Sequence, residues 1–187
     1  MTVTLECYGA RMAEELYETL EDAMQAVDAE MRVEQEFQAS CDFFLACQLI
    51  GVRRDSEAVR IGKARWPIQA YATCAALSLE LALKSRTILD GGTPPKTHRV
   101  SEVFALLSLP AQEDIAAGLL LDGQPATLAR ISEVLRLCDK TFETWRYVHE
   151  HRDADFMESY IFAILRAVHS SILRLRPDWQ FCRDLLT

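Results

Sequence analysis

The stretch YATCAALSLELALKS, residues 71–85, decides the fold. Its apolar residues neither keep to one face of a 3.6-residue helix nor alternate as in a half-buried strand. A helix that is apolar on nearly all sides is enclosed by others, so this stretch is expected to be the central rod of a helical bundle. Pro67 suits a helix's first turn and Asp90-Gly91-Gly92 stops one, which predicts a helix from about 67 to 89. Only Glu80 and Lys84 charge its middle. They stand at i and i+4 with the acid first, the favourable order, and are expected to satisfy each other. A Glu in so apolar a setting needs a partner, and a basic group from another helix, Arg146 above all, is the second candidate.

On either side the pattern stays helical. Met12, Leu16, Leu20, Met24 and Val27 recur at spacings of four and three, predicting a helix over about 10–31, and FFLACQLI belongs to a second over about 37–52. RVSEVFALL predicts a short amphipathic helix ending before Pro110, and AQEDIAAGLL another, closed by Asp122-Gly123. Pro125 is expected to open a long helix through Leu128, Ile131, Leu135, Cys138, Phe142 and Trp145. Asp155 with Glu158 resembles a capping box for a last helix from Phe156 to about Leu175. No stretch alternates with period two between hairpin turns. The expected fold is therefore all-α, a bundle of four to five main helices with short extra ones.

Composition narrows the class. Half of the 187 residues are hydrophobic and 26% charged, with only 7 Gly and 6 Pro, which excludes disordered, collagenous and loop-dominated chains. No apolar run approaches the ~18 residues that span a bilayer, and the opening MTVTLECYGARMAEEL lacks a signal-peptide layout, so a cytoplasmic protein without membrane partners is expected. Cys7, Cys41, Cys47, Cys74, Cys138 and Cys182 show no metal-ligand spacing and are expected as free core thiols. Neither a metal nor a cofactor is expected. Residues 1–36 hold ten acids against two bases, which equals the whole net charge of −8. They are expected to form an acidic helical extension ahead of a bundle over 37–187. The rest is neutral overall, so any RNA site must be local. The one basic stretch is GVRRDSEAVRIGKAR, with Arg53, Arg54, Arg60, Lys63 and Arg65 as candidate RNA contacts.

Three pieces, in this order, resemble the HEPN superfamily of helical-bundle proteins: ALSLELALKSRTIL, GGTPPKTHRVSEVFALL and FETWRYVHEH. The resemblance covers about residues 37–175. It implies a HEPN-like bundle that forms a homodimer along its later helices. It also implies a metal-independent endoribonuclease of the toxin or phage-defence type, with a cognate antitoxin or defence partner. The catalytic signature, an Arg followed four to six residues later by a His, falls on Arg146 and His151. Active members commonly follow the Arg with Asn, Asp or His, whereas this chain has Tyr147. The alternative is a non-catalytic HEPN dimer that binds RNA, a nucleotide or a protein.

The residues themselves leave both readings open. At ~100° per residue Arg146 and His151 diverge by about 140°, and His149 is the histidine that shares the Arg146 face. Glu150 at i+4 and Phe142 at i−4 offer Arg146 a packed, ion-paired role, with Tyr147 as packing. If the helix ends at HRDAD, His151 leaves the helical screw and the two residues can meet. The chemistry needs a proton carrier near neutral pKa and a fixed cation beside the phosphorane, and His151 and Arg146 are those residue types. Glu80 would support them. His98 is expected to secure its turn, and His169 to be a core or interface histidine. The dimer face is expected around Phe142, Trp145, Phe156, Tyr160, Phe162 and Ile164.

Overall fold

The expected break between two N-terminal helices is absent. The structure, a computed structural model, describes residues 3–52, 54, 56, 67–139 and 157–179, with side chains from residue 27 onward. Its first helix, α1, runs over Val3–Val52. The connecting residues 32–36 contain no Gly or Pro and, Val33 apart, only strong helix formers, so nothing there stops the helix. The chain divides into two units, Met1–Gln35 and Glu36–Thr187. In the first, Val27 and Met31 are about half exposed; Leu16, Leu20 and Met24 lie outside the described side chains.

In the second unit α1 is followed by α2 (Ile68–Leu89), α3 (Val100–Ala105), α4 (Leu109–Ala116), β1 (Leu120–Leu121), β2 (Gln124–Pro125), α5 (Leu128–Cys138) and α6 (Glu158–Leu175). The described residues are thus mostly helical, and none of their helices is long and apolar enough to cross a membrane. The two short strands pair antiparallel, Leu120 with Pro125 and Leu121 with Gln124. Asp122-Gly123, expected to close a helix, instead turns this hairpin with φ of 54° and 74°. That is the double positive φ that a two-residue hairpin favours and Asp-Gly tolerates.

Two helix starts also differ from expectation. Pro125 belongs to the ladder, and α5 begins three residues later because the Thr127 hydroxyl caps the Arg130 N–H at 3.2 Å. α6 begins at Glu158 with no side-chain cap bond. Instead of completing a capping box, the Glu158 carboxylate accepts from Tyr71 and Arg54.

α2 is the enclosed rod that its sequence predicts. Ala72, Ala75, Leu79, Ala82 and Leu83 are all at most 1% exposed, and its small residues let neighbouring backbones approach. α6 packs along it, burying Ile161, Ile164, Leu165, Val168 and Ile172 at the spacing of one helical face. α1 contributes Phe37, Phe44 and Cys47 by the same rule. The end of α2 is closed by Gly91 at φ 81°, with the Gly92 N–H bonded to the Thr87 carbonyl at 2.9 Å.

Among the described residues, one buried polar knot joins α1, α2 and α6, and a second links Arg86 of α2 to Ser171 of α6, whose hydroxyl donates to Asp114. The Ser40 hydroxyl donates to the Ser78 carbonyl and the Ser78 hydroxyl donates back to the Ser40 carbonyl, each at 2.7 Å. With its proton committed, the Ser40 oxygen accepts from His169 Nε2–H at 2.8 Å, which fixes the tautomer. His169 Nδ1 then carries a lone pair with no partner, between Phe37 and Phe44 edges. Burial pushes the imidazole pKa down to about 3, so this is a neutral core histidine.

Two expectations need correction. Cys41 is disulfide-bonded rather than a free thiol, while Cys47, Cys74 and Cys138 are free. Of the expected dimer face, Ile164 is fully buried inside this chain, Phe162 packs on Phe44 and Tyr71, and Tyr160 is bonded to Asp122. Ile164 therefore has no surface to offer a partner, while Tyr160 and Phe162 are half-buried. Phe142, Trp145 and Phe156 lie outside the described residues.

Candidate functional site

The ends of three helices converge on a cleft of about 650 Å³. α1 supplies Phe44, Cys47 and Gln48, the first turn of α2 supplies Tyr71, and the first half of α6 supplies Glu158, Tyr160, Phe162 and Arg166. The walls are aromatic because one buried face of each helix ends there: Phe162 lies 5.7 Å from both the Phe44 and the Tyr71 ring centroids. The rim is polar because Glu158, on the first turn of α6, has both carboxylate oxygens engaged. Oε1 accepts the Tyr71 hydroxyl at 2.6 Å and Oε2 accepts Arg54 Nη1 at 2.9 Å.

A second set that also joins a tyrosine, a carboxylate and an arginine includes Tyr160 of the cleft lining. Tyr160 donates to Asp122, which also accepts Arg130 Nη2 at 2.8 Å, and Arg130 reaches Glu133 at 2.9 Å. Hydrogen bonds from Tyr160 and Arg130 hold the Asp122 carboxyl below the usual range.

The chemistry of these groups is constrained by their surroundings. Burial, then the Glu158 carboxylate, pushes the Tyr71 phenol up, and bonding to Asp122 does the same to Tyr160, so both remain protonated donors. Burial, then the neighbouring Cys74, pushes the Cys47 thiol up to about 12. A thiol so protonated is a poor nucleophile. Among the described residues, the cleft is therefore suited to binding and orientation. Covalent attack by its own Cys or Tyr is disfavoured.

Glu80 lies elsewhere on α2, 4% exposed, and accepts Lys84 Nζ at 2.7 Å. His98 Nδ1 donates to the same carboxylate at 3.0 Å, joining the turn after α2 to the rod. The i, i+4 partner is thus present, with a histidine of the GGTPPKTH turn as a second partner. Of the basic stretch, Arg54 is placed and held by Glu158. Arg53, Arg60, Lys63 and Arg65 lie outside the described residues, as do Arg146, Tyr147, His149, Glu150 and His151.

Sequence reasoning missed Tyr71, Gln48 and Arg166, and assigned Glu158 to a helix cap. Tyr71 is hidden in an apolar run, and Arg166 looks like any solvated position of ILRAVHSS. No local signal marked Glu158 as a cleft residue, since its spacing from Asp155 fits a capping box. Comparison with models of known families, with curated proteins and with solved structures yields no match.

Proposed function

We propose that this chain is a HEPN-type helical protein that acts on RNA without a metal, with Arg146 and His151 as the cleaving pair and the cleft at the start of α6 as the adjoining binding surface. The observation that carries this reading is one of order along the chain. The segment with the Arg-to-His spacing immediately precedes Met157, Glu158, Ser159 and Tyr160, which line the cleft. In the proposed reaction the 2′-hydroxyl attacks phosphorus and the 5′-oxygen leaves. His151 carries the proton between them and Arg146 stabilises the charge on the phosphorane. His149 is the substitute if His151 stays on the far helix face. Glu80, Glu150 and Tyr147 act as supports, and Arg53, Arg54, Arg60, Lys63 and Arg65 as phosphate contacts. Extension of the resemblance supplies a homodimer, a toxin or defence setting and a cognate partner.

The second reading is a HEPN module that binds without cutting. It is favoured by Tyr147 following Arg146, and by a cleft whose described carboxylate already has both oxygens occupied. One experiment separates them. Purified full-length protein is incubated with mixed RNA in EDTA beside Arg146→Ala and His151→Ala. Cleavage by wild type, lost in both folded variants, supports the enzyme; retention of RNA without cleavage supports the binder. An absence of both binding and cleavage would remove RNA from the proposal.

A further inference from the structure

Arg166 separates two cavities. One is the cleft already described, and the other is a smaller one of about 410 Å³ walled by Ala117, Gly118, Ala163, Ala167 and Ser170. Arg166 lines both. The other arginines around these cavities are neutralised by carboxylates: Arg54 by Glu158 at 2.9 Å, Arg130 by Asp122 at 2.8 Å, and Arg174 by Asp114 through donors at 2.8 and 3.0 Å. Arg166 is bonded to no carboxylate among the described residues. Its guanidinium lies 6.0 Å from the Phe44 ring centroid, a contact with the ring face that consumes none of its N–H donors.

A charged fork with unused donors at the junction of two concave spaces fits an extended anion better than a compact one. Of the aromatic walls of the larger space, Phe44 and Tyr71 are 1% and 6% exposed, and the half-buried Phe162 is the ring that a base can reach. The smaller combines small residues (Ala117, Gly118, Ala163, Ala167 and Ser170) with the larger side chains of Leu119, Leu120 and Arg174, and its volume of about 410 Å³ leaves room for a second unit of the same polymer. A planar guanidinium matches phosphate oxygens two at a time. Double helices are too wide to enter such cavities, whereas single strands can splay their bases into them.

We infer that Arg166 is a phosphate-binding residue for single-stranded RNA, gripping the phosphodiester between one nucleotide in the larger cleft and the next in the smaller cavity. This rests on the RNA reading above and names a residue that the resemblance does not.

The test uses full-length protein and a labelled, unstructured 2′-O-methyl RNA oligomer, which cannot be cut by 2′-hydroxyl attack, with binding followed by fluorescence anisotropy across salt concentrations. Arg166→Gln should weaken binding roughly fivefold or more and lower the steepness of the salt dependence by about 0.7, the value for one phosphate contact on a single strand. Arg136→Gln, an exposed arginine that donates only to its own helix at the Ser132 carbonyl, should match wild type. Arg166→Lys keeps the charge without the fork and should fall between them. If wild type binds while Arg166→Gln binds within twofold and with the same salt dependence, the inference is wrong and the RNA reading stands. If Arg166→Gln weakens binding without changing the salt dependence, Arg166 acts through packing on Phe44 and the inference is again wrong. If wild type itself does not bind, both fall together.

Discussion

Two polar clusters join α2 to α6, one through Ser40 of α1 and the other through Arg54 just beyond it, and they differ in how water reaches them. The Ser40–Ser78–His169 knot is 0% exposed at all three residues, and both hydroxyl protons are used within it. The Tyr71–Glu158–Arg54 cluster makes hydrogen bonds as short, yet its Glu158 and Arg54 side chains are 36% and 53% exposed. In the first, every donor must be satisfied internally because no solvent can replace a lost partner. In the second, Tyr71 is itself 6% exposed, but water can reach the Glu158 and Arg54 side chains that a ligand or a mutation leaves without a partner. Hydrogen bonds of equal length thus serve stability in one place and leave room for binding in the other.

Glu80 mixes the two cases, a buried carboxylate whose partners Lys84 and His98 are 17% and 58% exposed at the side chain. Glu80→Ala is expected to cost about 3 kcal/mol, the low end of the ~3–5 kcal/mol for breaking a buried pair, because the Lys84 and His98 side chains left behind can turn toward water. Chemical denaturation checks it. A change below about 1 kcal/mol would place Glu80 with the solvated cluster.

The core knot makes a pH-dependent prediction. His169 has a folded pKa of about 3 against 6.5 for an ordinary imidazole, so between these values the unfolded chain binds more protons than the folded one. Stability from this group is complete above pH 6.5 and is lost as pH falls toward 3. The loss should reach about 2 kcal/mol by pH 5. The Asp90, Asp114 and Asp122 carboxyls are also held low, Asp114 by bonds from Ser171 and Arg174 that outweigh its burial. Their stabilisation is present above the unfolded value of 3.8 and fades below it, so the window from pH 7 to 5 isolates the histidine. His169→Gln should show a flatter stability profile there than wild type. Parallel profiles would mean that the knot is open to water.

What could be read in the sequence follows the same division. The rod 67–89, the short helix near 100–107, the existence though not the end of the helix within AQEDIAAGLL, and the Glu80–Lys84 pair rest on local spacing or local stop signals, which the sequence displays directly. The unbroken α1 and the Asp122-Gly123 hairpin were hidden for opposite reasons. At 32–36 a pause in the apolar pattern suggests a break although no residue there stops a helix. At 122–123 a strong hairpin dipeptide is flanked by strands of two residues, too short to show alternation. The cleft is harder still, since Phe44, Tyr71, Glu158 and Arg166 come from three helices and only their packing brings them together. The catalytic candidates Arg146 and His151 were readable only through the resemblance.

The smallest expected effect is the sharpest test of the comparison, because it removes one hydroxyl from each cluster. Ser78→Ala deletes the donor to the Ser40 carbonyl at 2.7 Å, and Tyr71→Phe deletes the donor to Glu158 at 2.6 Å. By length alone the second should cost at least as much as the first. Burial reverses the order. In the core a weakened acceptor has no substitute and the small cavity stays dry, so Ser78→Ala should cost about 1.5 kcal/mol. At the cleft, water can bond the vacated Glu158 oxygen and Arg54 remains as a partner, so Tyr71→Phe should cost no more than about 0.5 kcal/mol. For a chain of this size that is a fall in Tm of about 3–6 °C against about 1–2 °C. Equal losses would show that Tyr71 and Glu158 form part of the core, and the cleft would then lose its claim to be a surface built for a ligand.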